Sequence, residues 1–195
     1  MSLSRRGFLR ATYGATAAAT LVTIGQSVSP LKDLAVLAPR IPDIGPQGLP
    51  VNRSAHDASI DVPPDYRLVI DGGAMPLSLT LDELHAMTQH TVDLPIACVE
   101  GWSAMASWSG VRVRDLLDRA GIDHHSRVLV DSLEQFGSYR SSILDRGHAH
   151  DSLTLLALRV NGKLLALDHG YPARLIAPDR PGVLQTKWVR RLSAL

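Results

Sequence analysis

The sequence predicts an α+β fold with mixed β-sheets and short helices. Strand-like runs outnumber helical ones, and the two do not alternate as they would in a doubly wound fold. Asn161-Gly162 separates two apolar runs, a strong short-range hairpin signal.

From the N-terminal side, residues 66–71 alternate as a strand and Gly72-Gly73 turns it. Thr80-Leu81-Asp82-Glu83 has the spacing of a capping box, so a helix starts there and is expected to run to about Gln89. Residues 92–98 read as a buried strand despite Pro95. A second helix is expected over 113–120, with Gly121 supplying its C-terminal turn. Residues 127–132, 153–160, 163–167, 173–177 and 187–192 complete the strands. Residues 39–65 are broken by repeated prolines, from Pro39 to Pro64, and read as an extended lead-in.

The 195 residues suit one domain. Hydrophobic residues at 45% and charged residues at 20% allow a core and exclude global disorder. Lys plus Arg at 20 against Asp plus Glu at 19 argues against a phosphate-driven nucleic-acid binder. A single cysteine excludes a disulfide framework and any multi-cysteine metal site. There is no G-x-G-x-x-G after a strand, no P-loop and no C-x-x-C-H, which removes Rossmann, nucleotide-triphosphate and covalent haem readings.

Ser4-Arg5-Arg6-Gly7-Phe8-Leu9-Arg10, followed by an uncharged Ala- and Thr-rich run, makes a twin-arginine export signal over residues 1–38. The small residues that would flank a cleavage point precede Pro30 or Pro39, so the alternative is an uncleaved membrane anchor through residues 5–25. Either places residues 66–195 as an extracytoplasmic, periplasmic domain. Removing 1–38 takes Arg5, Arg6, Arg10 and Lys32 but only Asp33, leaving a slightly acidic remainder that does not attract a polyanionic partner.

Cys98 ends an apolar strand and enters Val99-Glu100-Gly101-Trp102, where side chains emerge into a site. A thiolate held on a metal is protected from oxidation and suits a soft or highly oxidised transition metal. One thiolate cannot hold a metal alone, so the remaining ligands must come from a cofactor. Arg174, in Asp168-His169-Gly170-Tyr171-Pro172-Ala173-Arg174, and Lys187 can pair with a phosphate, and backbone N–H groups near Gly182 can approach it. His148-Ala149-His150-Asp151 would place two ligands on one face if it were a strand, but reads rather as solvated or structural histidines. His124-His125 is a weaker signal still.

Cys98-Val99-Glu100-Gly101-Trp102, Trp108-Ser109-Gly110-Val111, Asp115-Leu116-Leu117, Asp168 to Leu175, and Gly182 to Trp188 occur in this order. Together they resemble the molybdopterin domain of the sulfite oxidase family, with the cysteine element closest to the exported methionine-sulfoxide reductase catalytic subunit branch. The resemblance covers about residues 50–195. It implies a molybdenum–molybdopterin cofactor with Cys98 as metal ligand. It implies pterin contacts from Asn52, Ser132, His169 and Arg174, and a phosphate loop from Gly182, Val183, Leu184, Gln185, Thr186 and Lys187. Tyr139 corresponds to a tyrosine near the metal, and Glu100 is a second catalytic candidate, as a proton relay.

The family's sulfite oxidases carry arginines just after the cysteine, where this chain has Val99, Glu100 and Gly101. A carboxylate there repels an anion, which favours a neutral substrate. The expected activity is therefore two-electron reduction of an S- or N-oxide. Sulfite oxidation and a non-catalytic binding domain are the alternatives. The expected partners are a small-molecule substrate and an external electron donor, such as a membrane haem protein or quinone-linked subunit, with the protein itself a monomer.

Overall fold

The computed structural model describes residues 45–98 and 102–195, together with Tyr13 and Thr16. Contacts divide the chain into Met1–Ile41 and Pro42–Leu195, and the architecture that follows is that of the second unit. Glu100 and nearly all of the 1–38 segment lie outside the described residues.

Two five-stranded sheets form the unit. The first comprises β1 (Arg67–Asp71), β2 (Leu77–Thr80), β5 (Val128–Ser132), β6 (Ser141–Leu144) and β10 (Val189–Ala194), in the order β2-β1-β10-β5-β6. β1 and β10 run parallel and the other neighbours antiparallel, so the sheet is mixed. The second comprises β3 (His90–Ala97), β4 (Ser103–Arg112), β7 (Leu155–Val160), β8 (Lys163–Leu164) and β9 (Arg174–Ile176). β7 lies between β4 on one edge and both β8 and β9 on the other. Three short helices, α1 (Leu81–Ala86), α2 (Val113–Arg119) and α3 (Arg146–His150), complete the α+β architecture.

The elements follow from local chemistry. Thr80 Oγ1 accepts the Glu83 N–H while Glu83 Oε2 accepts the Thr80 N–H, so the capping box forms. α1 stops at Ala86 rather than Gln89, because the Gln89 amide reaches back to the Leu84 and Met87 carbonyls and satisfies the helix end. Gly121 adopts φ 66 beyond α2, where a left-handed residue closes the helix. Asn161 and Gly162 both have positive φ, and they join β7 to β8 in register. Pro95 is tolerated because β3 is an edge strand paired only with β4.

Sequence patterning misses β2, β6, α3 and the longest strand, β4. β4 is built largely from Ser, Ala and Gly, which carry little strand propensity. Its Gly110 lies at a register shift where an added Cβ would stand 2.0 Å from the Leu156 carbonyl oxygen, so no other residue fits.

Leu68, Ile70, Leu84, Leu116, Leu117, Val130 and Leu192 fill the larger core. Trp108, Leu155, Val160 and Ile176 anchor a second one. Each such side chain contributes about 1.5–3 kcal/mol by leaving water. Residues 45–62 pack onto this body: Ala55 and Ala58 bury against Trp188, and Asp168 Oδ1 accepts the Ala55 N–H at 2.8 Å.

Candidate active site

β3 delivers Cys98 to the mouth of an open cleft of about 680 Å³. The Cys98 N–H donates to the Trp102 carbonyl at 2.8 Å, which holds Trp102 beside it. The Asn52 amide donates to Cys98 Sγ, so residues before β1 close one side of the thiol. Cys98 is half-buried.

β9 and the segment leading into β10 supply cations to the same cleft. Gly170, at φ 109, allows the backbone to pass where a Cβ would meet Arg174 Cβ and Lys187 Cα at 3.1 and 3.2 Å. The Leu175 N–H donates to the Thr186 carbonyl at 2.9 Å, and the Trp188 N–H donates to the Gly170 carbonyl at 3.3 Å. These bonds fix residues 182–188 against β9. Ser142 and Thr186 hydroxyls pair at 2.7 Å and secure the far side.

Arg174 is 3% exposed. Its guanidinium lies 5.5 Å from the Trp108 ring centroid and donates from Nη1 to the His169 carbonyl at 3.3 Å. No carboxylate among the described residues pairs with it, and its Nε has no partner. Burial pushes its pKa down to about 10. Lys187 donates to the Arg53 and Asp168 carbonyls, each at 2.7 Å. Burial first, and the Arg174 charge second, bring its pKa down to about 7. Arg174, buried, and Lys187, half-buried, thus share a wall with carbonyl dipoles, and among the described residues neither is in an ion pair with a carboxylate, an arrangement that attracts an anion.

At the other side Arg53 Nη2 meets Glu134 Oε1 at 2.5 Å, with Glu134 nearly buried. This pair cancels one positive and one negative charge at the cleft. Tyr139 lines the cleft and is 53% exposed.

Of the residues singled out from the sequence, Cys98, Asn52, Tyr139, Arg174, Gly182, Val183, Gln185, Thr186 and Lys187 line the cleft. Ser132, His169 and Leu184 stand behind its wall. Ser132 Oγ donates to the Lys187 carbonyl at 2.8 Å and accepts the Glu134 N–H at 3.0 Å, so it positions both neighbours. His169 is buried, with Nε2 on the Pro46 carbonyl, and burial holds its pKa below the usual imidazole value. Leu184 sits in a turn whose N–H donates to the Pro181 carbonyl. Sequence reasoning misses Arg53, Glu134 and Trp102 as site residues. Arg53 directly follows Asn52, and Glu134 lies two residues beyond Ser132, but nothing local in the sequence pairs them.

Among the described residues, three polar atoms in cleft-lining side chains are buried without partners: Arg174 Nε, Trp102 Nε1 and Gln185 Oε1. Donors, an acceptor, two cations and a soft thiol together fit a large anionic cofactor that carries a thiophilic metal.

The geometry defines a cofactor-binding oxidoreductase domain, and comparison narrows it. Residues 55–195 match the family model described as oxidoreductase molybdopterin binding domain, and the chain belongs to that family, whose cofactor contains molybdenum. It is 31% identical to mitochondrial sulfite oxidase of Mus musculus over 159 residues, covering 67% of this chain and 29% of that protein. It is 34% identical over 113 residues to a protein of Azospira oryzae named for a methionine-sulfoxide reductase subunit, covering 58% of this chain and 42% of that protein. The crystal structure of sulfane dehydrogenase SoxCD from Paracoccus pantotrophus superposes with TM-score 0.62 at 26% identity, over 69% of this chain and 39% of that one. The chain thus spans less than a third of the sulfite oxidase and under half of the other two.

Proposed function

We propose that this chain is an exported molybdenum-cofactor oxidoreductase that reduces a neutral S- or N-oxide. The observation that carries the reading is the cleft itself, which combines the Cys98 thiol with a buried Arg174 and a half-buried Lys187, neither of them in an ion pair among the described residues. Cys98 would hold the metal. Arg174 and Lys187 would hold the anionic cofactor, with Asn52 and residues 182–186 along its length and Ser132 and His169 bracing the wall. When bound, the cofactor supplies two-electron oxygen-atom transfer.

The residues of the chain orient the substrate and manage its protons. Reduction of an oxide consumes two electrons and two protons and yields the parent compound and water. The Tyr139 hydroxyl donates a hydrogen bond to the substrate oxygen as negative charge grows on it. Glu100 would pass protons to the same place. Lys187, poised near neutrality, retains its proton when an anion sits against it. The Arg53–Glu134 pair adds no net charge to the cleft, so Arg53 is not left as a lone cation to hold sulfite, which suits a neutral substrate.

The 1–38 segment would direct twin-arginine export and residues 66–195 would form the catalytic domain, fed by an external electron donor. Among the described residues no helix is long and apolar enough to cross a membrane.

The test is protein from a host that makes the cofactor, assayed for molybdenum and then for turnover in both directions. The reading expects about one molybdenum per chain, reduction of sulfoxides or N-oxides, and about 100-fold lower kcat in Tyr139→Phe. Tight sulfite oxidation would overturn the neutral-substrate argument. Replacing Arg5 and Arg6 with Lys should block export of a reporter fusion.

A further inference from the structure

A second cluster of ligating side chains stands away from the cleft. Asp118 is in the last turn of α2, His124 is in the loop after it, and His150 is the last residue of α3. None of the three lines the cleft. The fold brings together one histidine from each of the two sequence pairs. His148 and His150 are on a helix rather than a strand, so they do not share a face: His148 turns to Asp145 while His150 meets His124.

The geometry is specific. His124 Nδ1 and His150 Nδ1 face each other at 3.2 Å, with ring centroids 4.5 Å apart and planes tilted by 42°. A tetrahedral zinc with bonds of about 2.0–2.1 Å separates two nitrogen ligands by about 3.3 Å. One ligand atom from each of Asp118, His124 and His150 falls within 4.8 Å of the other two. The scaffold is anchored on both sides. Ile122 and Ala149 are buried, Asp123 Oδ1 accepts the His125 N–H at 2.7 Å, and Asp145 caps α3.

We propose that Asp118, His124 and His150 form a binding site for a divalent transition metal, Zn2+ in preference to Mg2+ or Ca2+. Two imidazoles and one carboxylate are the donor set such ions favour, and hard oxygen-seeking cations do not. The exposed side of His124 and Asp118 leaves a fourth position to water or an incoming ligand. The ion would tie α2, the following loop and α3 together.

The experiment uses the full, molybdenum-loaded chain, stripped with a mild chelator and titrated with zinc chloride against a chromophoric competitor. Cobalt substitution then reads the ligands. The site predicts one zinc per chain, a zinc-dependent rise in melting temperature, and a cobalt spectrum without thiolate charge transfer. His124→Ala and His150→Ala each lower zinc affinity by more than about 100-fold, beyond the loss expected from an outer partner. Molybdenum content is unchanged in both. His124 is 71% exposed at its side chain, so its replacement leaves folding intact. His148→Ala, on the same helix as His150, retains binding. Three results would each overturn the assignment: equal binding in both variants, equal loss in His148→Ala, or a thiolate band that places the cobalt at Cys98.

Discussion

Two arginines on neighbouring stretches of this fold have opposite environments. Arg191, on β10, pairs with Asp71 on β1 at the open face of the first sheet, its Nε 2.8 Å from the carboxylate. Arg174, on β9, is buried on the Trp108 ring without a carboxylate partner among the described residues. The surface pair is what any soluble domain tolerates and gains little from. A buried cation without a counter-charge costs stability, and a fold retains it where something outside the chain completes it. The difference separates structural charge from charge held ready for a ligand.

Replacing Cys98 with Ser makes the largest change. Activity is expected to fall about 100-fold or more, beyond the loss that an outer partner of a metal causes. Metal analysis beside the assay shows whether the pterin stays bound by the cation wall alone. Retained molybdenum without turnover would sharpen the division of labour between the two walls. Unchanged turnover would remove Cys98 from the site.

Arg174→Met tests the other wall. Cofactor content should collapse, while the cofactor-free protein becomes more stable by about 1 kcal/mol, because relief of the buried charge is worth about 1–4 kcal/mol. The His169 carbonyl, losing its Nη1 donor, returns part of that. Chemical denaturation of both cofactor-free proteins measures it, and a large loss of stability would make Arg174 structural.

Lys187 adds a pH signature. Its folded pKa of about 7 lies below the unfolded value of 10.5. Between these values the unfolded chain binds more protons, so stability rises with pH across that window. The slope attributable to this group is at most about 1.4 kcal/mol per pH unit. Below pH 7 both states are protonated and the burial penalty is complete. Lys187→Met should remove this slope from cofactor-free protein, measured by denaturation at several pH values.

Some of this is legible in the sequence. The hairpin at Asn161-Gly162, the capping box at Thr80 and the closure at Gly121 are local devices, and local devices survive in one dimension. Cys98, Arg174 and Lys187 stand out as residue types whose chemistry needs a ligand. What escapes the sequence is non-local. β4 is made of small residues and becomes a strand only between β3 and β7. The Arg53–Glu134 pair joins positions 53 and 134 through the fold, and the meeting of His124 with His150 depends on α2 and α3 packing together. No periodicity announces such pairs.

The smallest effect belongs to the surface pair, and it calibrates the rest. Asp71 has its pKa held below the usual carboxylate value, first by Ser193 and then by Arg191. A depressed carboxylate stabilises above its unfolded pKa and loses that contribution as pH falls through the folded one. The group is close to solvent, and Arg191 is 47% exposed, so water and salt screen most of the attraction. A double-mutant cycle with Asp71→Asn and Arg191→Gln should give a coupling of about 0.2–1 kcal/mol at neutral pH, vanishing in strong acid and shrinking in molar salt. A coupling of several kcal/mol would mean that exposure is a poor guide to charge energetics in this fold. The cation wall would then lose its contrast, because Arg174 could be explained by packing without a ligand.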